Sequence, residues 1–310
     1  MVVAEAQEKI VMASIGSDGL TLVTGANGQI GREVCRQLRA AHAKFLATDV
    51  DQGPIEGFQT IDLRCKADVS RLFESQPVRT VIHLAAILPT AFRADPLLGA
   101  DVNLTACFEL MRQAMSVHVK RFVFASSRSV YGLTCCDARP LTETDPVMPD
   151  EPYGAAKCVV ESVGTILAAA HSIEFVALRI AVVLGLGVRE TSSSAWRSQI
   201  FESPSGSDPI KIPFAPRALL PLVHVEDVAR ALIVLAGAPK LEHAIYNLPA
   251  ETWEARLLKE MVEKVRGVRV ELHQEGPHGG PLCDSSRFVR EFGFPLRGLR
   301  ERLSCRPGPS

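Results

Sequence analysis

The octapeptide TGANGQIG, Thr24 to Gly31, constrains the fold of this chain more than any other stretch. It follows the apolar run Leu20, Leu22 and Val23 and precedes a segment in which Ile30, Val34 and Leu38 recur at helical spacing. The local order is strand, tight turn, helix. Glycines stand at positions 25, 28 and 31. Because glycine has no Cβ, such a turn lets backbone come close to a pyrophosphate. The helix behind it offers unpaired N–H groups and the positive end of its dipole. Gly25, Asn27, Gly28, Gln29, Ile30 and Gly31 are therefore candidates to hold a dinucleotide. A glycine-rich loop that closes a strand–helix unit without any ligand has the same composition. The position at the first strand favours the ligand.

A second short strand, KFLATDVD, ends in acid. Asp49 lies roughly 20 residues past the glycines, where a carboxylate can accept hydrogen bonds from adenosine ribose hydroxyls and repel a 2′-phosphate. No Arg or Lys follows closely, so the reading is NAD rather than NADP. A solvated loop acid is the alternative, with Asp51 next door.

Further apolar strands, VRTVIHLAAIL, VKRFVFASS and SIEFVALRIAVVLG, alternate with helical patterns such as VNLTACFELMRQAMS and AAKCVVESVGTILAAAH. That alternation predicts an α/β fold, a doubly wound parallel sheet with helices on both faces. After Gly185 the chain turns irregular and rich in Ser, Pro and Gly. The predicted organisation is a nucleotide-binding core over 19–185, to which 223–248 returns, and a smaller irregular C-terminal substrate lobe from 186–222 and 249–305. Residues 1–18 and 306–310 read as flexible ends. ETWEARLLKEMVEKVRG reads as one amphipathic helix.

Hydrophobic residues make up 47% and charged residues 22%, with a formal net charge of −1, which points to neither nucleic acid nor an anionic membrane. No apolar run reaches the length of a membrane span. Glu5, Glu8 and Lys9 break a signal-peptide pattern at the N-terminus. The eight cysteines form no C-x-x-C pair and read as reduced thiols of a cytoplasmic protein, with a redox role for Cys135–Cys136 disfavoured. No metal site is expected.

DEPYGAAK places Tyr153 and Lys157 one helical turn apart. The glycine turn, Asp49, Asp62 in TIDL, HLAA at 83–86, Asn103, FASSRSVYG at 124–132 and YGAAK at 153–157 occur in an order that resembles the extended short-chain dehydrogenases/reductases. That group holds NAD-dependent epimerases, dehydratases and related dehydrogenases, and the match runs from about Leu20 to about Leu248. The resemblance implies a Rossmann-type fold and roles residue by residue. Asp62 would bond the adenine with the Leu63 backbone. Leu84, Ala85 and Ala86 would lie beneath the cofactor, and Ile180 and Val182 would also border it. Asn103 would brace the central strands. Ser127, rather than Ser126, would sit by the reacting oxygen, with Tyr153 as general acid/base and Lys157 as its partner and a donor to the nicotinamide ribose.

The chemistry needs these groups. Hydride loss from a secondary alcohol requires removal of its proton, and a free phenol, with a pKa near 10, is too weakly acidic to serve well near neutrality. A lysine ammonium nearby is expected to lower that pKa. A Tyr-x-x-x-Lys pair alone is more often a surface helix contact. The apolar helix around it predicts a homodimer through a helical bundle, as is common in the family, or else burial within a monomer.

The substrate is read from departures. Nucleotide-sugar members of the family carry an Asn where Val182 stands and an Arg where Leu220 stands, and a diphosphate buried without these partners is costly. Thr191, Ser192, Ser193, Ser194 and Arg197 instead suit a small carboxylate, and Arg217 is a further candidate. This segment looks similar to that of extended threonine dehydrogenases and sugar-acid dehydrogenases. A flexible polar loop is the plain alternative. The expectation is an NAD-dependent oxidoreductase acting on a hydroxy acid or sugar acid. A nucleotide-sugar epimerase/dehydratase, or a catalytically silent NAD sensor, are the other readings.

Overall fold

The computed structural model describes residues 19–55, 57–74, 76–132, 139–187 and 194–304. The strands are β1 (Leu20–Thr24), β2 (Phe45–Asp49), β3 (Gln59–Thr60), β4 (Val78–His83), β5 (Arg121–Ser127), β6 (Glu174–Ile180), β7 (Val182–Leu184), β8 (Ile210–Ile212), β9 (Leu219–His224), β10 (Ile245–Asn247), β11 (Glu251–Glu254) and β12 (Val270–Leu272). The longer helices are α1 (Gln29–Ala40), α2 (Lys66–Glu74), α3 (Cys107–Ser116), α4 (Pro152–His171), α5 (Trp196–Glu202), α6 (Val225–Gly237) and α7 (Ala255–Arg266).

Seven strands form a parallel sheet in the order β10-β6-β5-β4-β1-β2-β3. Its strands are buried on both faces, and alternate residues feed two cores. Val23, Ile82, Val123, Val176 and Leu178 face one core, shared with α1 and α6. Leu22, Val81, Phe122, Phe124 and Phe175 face the other, shared with α2, α3 and α4. The strand order reverses at β1, whose neighbours are β2 and β4. Connections leave this point in opposite directions and open a crevice at the carboxyl ends of the strands. The glycine turn and the end of β4 meet there.

A separate three-stranded sheet, β11-β9-β7, and the β12–β8 pair build the rest of the chain. Their core holds Val182, Trp196, Ile200, Leu220, Leu222, Leu258 and Val262. The predicted helix over 251–267 starts only at Ala255. Glu251–Glu254 form β11 instead, antiparallel to β9, with Trp253 opposite Leu220. Pairing with an open strand edge there outweighs helix extension, a tertiary effect that local periodicity cannot show. No described helix is long and apolar enough to cross a membrane.

Candidate active site

The three glycines of the first turn do different work. Gly25 adopts φ +68°, and a Cβ there would lie 2.5 Å from Ala85 N. At Gly31 a Cβ would lie 2.1 Å from Gly25 O. Both are required by packing within the protein. At Gly28 a Cβ would meet only Gly25 O, at 3.3 Å, so its outer side is open to an approaching group. Gln29 ties this turn to the end of β7, donating from Nε2 to Gly185 O at 2.9 Å. Ile30 is partly buried against the core beneath.

Asp49, at the end of β2, is fixed by two backbone donors: Asn27 N to Oδ2 at 3.0 Å and Val50 N to Oδ1 at 2.8 Å. Asn27 in turn accepts from the Arg32 guanidinium at 3.0 and 2.8 Å. The sequence reading looked for basic residues only after Asp49 and overlooked Arg32, which lies before it on α1. Asp62 pairs with Arg64 at 2.6 Å on the surface, and that guanidinium holds its carboxyl below the usual range. Leu63 beside it is buried.

Under the turn, Thr24 Oγ1 and His83 Nδ1 lie 2.7 Å apart. Burial, helped by the Lys157 charge, pushes the His83 imidazole down to about 3, so it is neutral and joins β1 to β4. Leu84 N donates to Thr24 O at 3.1 Å, and Ala85 and Ala86 are partly buried beside it. Asn103 sits in a π-helical turn, Asp101–Ala106. Both ends of its amide go to Ile87, accepting from N at 2.7 Å and donating to O at 2.9 Å. Asn103 thus braces the loop after β4 rather than presenting a free amide. The side chains of Ile180 and Val182 are packed into the cores on either side of the β6–β7 bend.

Ser127 ends β5 and caps the short turn Arg128–Tyr131, its Oγ accepting from Ser129 N at 3.1 Å. Ser126 points away and donates to Glu161 at 2.5 Å. Ser126 is buried, whereas Ser127 is half-buried at the end of the strand. Tyr153 lies in the first turn of α4, behind Pro152. A Cβ on the next residue, Gly154, would come 2.4 Å from Ser129 O. The glycine therefore seats the start of α4, the turn that carries Tyr153, flush on the turn that follows Ser127.

Lys157, one turn on, is 4% exposed and donates from Nζ to Ala125 O at 2.7 Å. It lies 4.5 Å over the Phe124 ring and 5.4 Å over that of Tyr153. Burial brings its pKa down to about 8. The expected lowering of the Tyr153 pKa is not found. Burial, with the Glu151 carboxylate behind it, pushes the phenol well above its ordinary value. Desolvation outweighs the ammonium, which is turned toward a carbonyl. As it stands the phenol is protonated near neutrality.

Beneath the pair runs a buried polar chain that the sequence reading missed. Arg179 bonds Glu161 at 2.7 Å and Tyr131 Oη at 2.7 Å, and Tyr131 reaches Asn247 Oδ1 at 2.9 Å. Glu161 and Arg179 side chains are each 3% exposed. The only hint in the sequence is a glutamate four residues after Lys157 on an otherwise apolar helix.

Thr191, Ser192 and Ser193 lie outside the described residues. Ser194 is half-buried just before α5, and Arg197 is in that helix. Arg217 is exposed in the loop between β8 and β9 and joins none of these groups. Among the described residues one grouping could ligate a metal, Glu242, His243 and Glu291, on the surface. Glu291 there already accepts from Glu242 N and Tyr246 Oη.

The model of the NAD dependent epimerase/dehydratase family matches residues 21–248. A UDP-glucose 4-epimerase of Lacticaseibacillus casei is 31% identical over 174 residues, 53% of this chain and 51% of that protein. A uronate dehydrogenase of Pseudomonas putida is 32% identical over 164 residues, 51% of this chain and 59% of that protein. The matched part thus spans little more than half the length of these curated relatives. The UDP-glucose 4-epimerase of Thermus thermophilus, solved with NAD, superposes with a TM-score of 0.80 at 24% identity, covering 93% of this chain and 97% of that one. At that identity the likeness speaks for the fold alone.

Proposed function

Since the chain belongs to the NAD-dependent epimerase/dehydratase family, we propose that it oxidises a secondary alcohol of a hydroxy acid or sugar acid with net reduction of NAD. The observation that carries the substrate class is the burial of Val182 and Leu220 in one apolar core. The two positions where nucleotide-sugar members place diphosphate partners are occupied here by packing residues, and an unpartnered diphosphate would be costly there. The half-length likeness to a uronate dehydrogenase supports the same class.

NAD, when bound, supplies the hydride acceptor. The residues fit it: the open side of Gly28 and the first N–H groups of α1 would take the pyrophosphate, Asp49 the adenosine ribose, and Lys157 the nicotinamide ribose. Ser127 holds the substrate hydroxyl toward Tyr153. Tyr153 takes the hydroxyl proton on its phenolic oxygen, which must first give up its own. The Lys157 ammonium favours that ionised state when it turns from the Ala125 carbonyl toward the phenol. In this proposal the large sheet carries the cofactor and the segments 186–222 and 249–305 form the substrate lobe.

The second reading is a nucleotide-sugar epimerase or dehydratase, favoured by the likeness to UDP-glucose 4-epimerases. There the same side chains would oxidise a sugar and the hydride would later return. Net NADH on aldonates or uronates supports the first reading, and turnover of a UDP- or dTDP-sugar without net NADH overturns it. Loss of turnover in Tyr153→Phe separates both from a silent NAD sensor.

A homodimer is part of the proposal. Val159 and Ile166 on α4 are 42% and 69% exposed, and Leu97 in the adjoining short helix is 84% exposed, giving an apolar face that a second copy would cover. Sedimentation at a dimer mass checks this, and Ile166→Glu is expected to yield monomers. A reducing, cytoplasmic setting is also proposed, on the free thiols Cys35, Cys65, Cys107, Cys158 and Cys283.

A further inference from the structure

Gly185 is the residue at which the chain leaves β7, and both of its backbone polar groups are bonded to distant segments. Its N–H donates to the Arg197 carbonyl at 3.1 Å, which fixes the start of α5. Its own carbonyl accepts from Gln29 Nε2 at 2.9 Å, a side chain that reaches it from the first residue of α1. Gly185 has φ +127°, and a Cβ there would lie 2.7 Å from Val225 Cγ1 and 3.2 Å from His224 Nε2. The start of α6 thus closes on it from a third side. Three elements far apart in the sequence, α1, α5 and α6, converge on this one glycine.

Gln29 serves different neighbours at its two ends. Its side chain holds Gly185. Its backbone opens α1, where the preceding Gly28 supplies no side-chain cap and no acidic residue stands in the first turn. The first N–H groups of this helix have no intrahelical acceptor, and an anion such as pyrophosphate suits them. Whatever holds that first turn also holds the root of the Gln29 side chain. Two turns further along the same helix, Gln37 Nε2 donates to Glu226 O at 3.0 Å, so α1 is bonded to α6 at a second, separate place. On the far side of the link, α5 packs Trp196, Ile200 and Phe201 into the core of the smaller sheets, so its start is continuous with that core.

We infer that Gln29 is a positioning residue that couples the cofactor turn to the substrate lobe, through its side chain to Gly185 and the Gly185 backbone to α5. NAD on the N–H groups of α1 restrains the Gln29 backbone. The restrained side chain holds the Gly185 carbonyl in one place, and the bond from Gly185 N to Arg197 O opens less often. Ordering that the cofactor has already brought about need not accompany the second ligand, so the two bind with positive cooperativity. By linkage each strengthens the other by the same factor. Ser194 and Arg197, which the sequence puts forward for contact with substrate, stand at this steadied start of α5. The inference rests on the proposed function for the place of the substrate, though not for the link itself.

Amide hydrogen exchange, read with and without saturating NAD, tests the link without any substrate. In the native protein NAD should slow exchange at Gly185 and in α5 about 2- to 10-fold, the scale of one neutral hydrogen bond. Gln29→Met, of similar length but with no donor, should lose this slowing. Its NAD Kd by fluorescence titration should stay close to native, because backbone and not the Gln29 amide meets the pyrophosphate. Gln29→Asn, too short to reach Gly185, carries the same expectation if the methionine variant does not fold. Gln37→Met, which removes the other bond from α1 to α6, should keep the slowing and so separates this link from a general loosening of α1. Undiminished slowing in either Gln29 variant, no slowing in the native protein, or an equal loss in Gln37→Met would overturn the inference. Slowing that depends on Gln29, with no NADH from any hydroxy acid, would keep the link and defeat the proposed function. NADH from an acid, with slowing that ignores Gln29, would do the reverse.

Discussion

At the carboxyl ends of β1, β2 and β4 three polar side chains already have protein partners. Asp49 holds two backbone N–H groups, Asn103 spends its whole amide on Ile87, and His83 bonds Thr24. Past Gly185, in α5, the Arg197 Nε is buried with no hydrogen-bond partner among the described residues. The first region is organised before any ligand arrives, so little ordering has to accompany cofactor binding. The second leaves that one N–H without a partner. In the proposed function the first region would hold the cofactor and the second the substrate.

The largest expected effect separates the two regions at their meeting point. Tyr153→Phe should lower turnover about 10²- to 10⁴-fold, the usual worth of a positioned acid/base, while fluorescence titration gives an unchanged NAD Kd. A parallel loss of NAD affinity would break the comparison, because the phenol would then belong to the cofactor side. Next, Glu161→Gln should cost about 3–5 kcal/mol in chemical denaturation, since it strands the Arg179 charge in the interior. A loss below about 1 kcal/mol would mean that water reaches this chain of residues and that the crevice floor is not rigid.

Asp49→Ala should weaken NAD about tenfold, the scale of one charged hydrogen bond, and narrow the preference over NADP. Equal NAD and NADP affinity in the native protein would instead give Arg32 the deciding role. The smallest effect is a pH trend. Lys157 titrates at about 8 when folded, below its ordinary 10.5, so between those values the unfolded chain binds more protons. Its contribution must therefore make stability rise with pH across that window, and Lys157→Met should flatten the rise in denaturation curves at the two ends. For catalysis the sign is the same: with the Tyr153 phenol pushed up by burial, NADH formation should speed up as pH increases.

The sequence made the first region legible because its signals are local. The glycine spacing, the acid at a strand end and the apolar runs each lie within a few residues. What escaped depends on contacts between distant segments. Nothing local says that Gly31 is required by the Gly25 carbonyl, or that Gly154 seats α4 on Ser129. The choice of Ser127 over Ser126 becomes physical only when Glu161 claims Ser126. β11 formed where a helix was expected because β9 offered an open edge. The Tyr153 pKa ran opposite to expectation because burial cannot be weighed from a tyrosine–lysine spacing.

The most direct test of the account is nicotinamide absorbance on mixing the protein and NAD with aldonates and uronates on one side and with UDP-glucose on the other. Stoichiometric, lasting NADH with an acid, and none with UDP-glucose, is the expected result. Conversion of UDP-glucose with no net NADH, and no reaction with any acid, would contradict it.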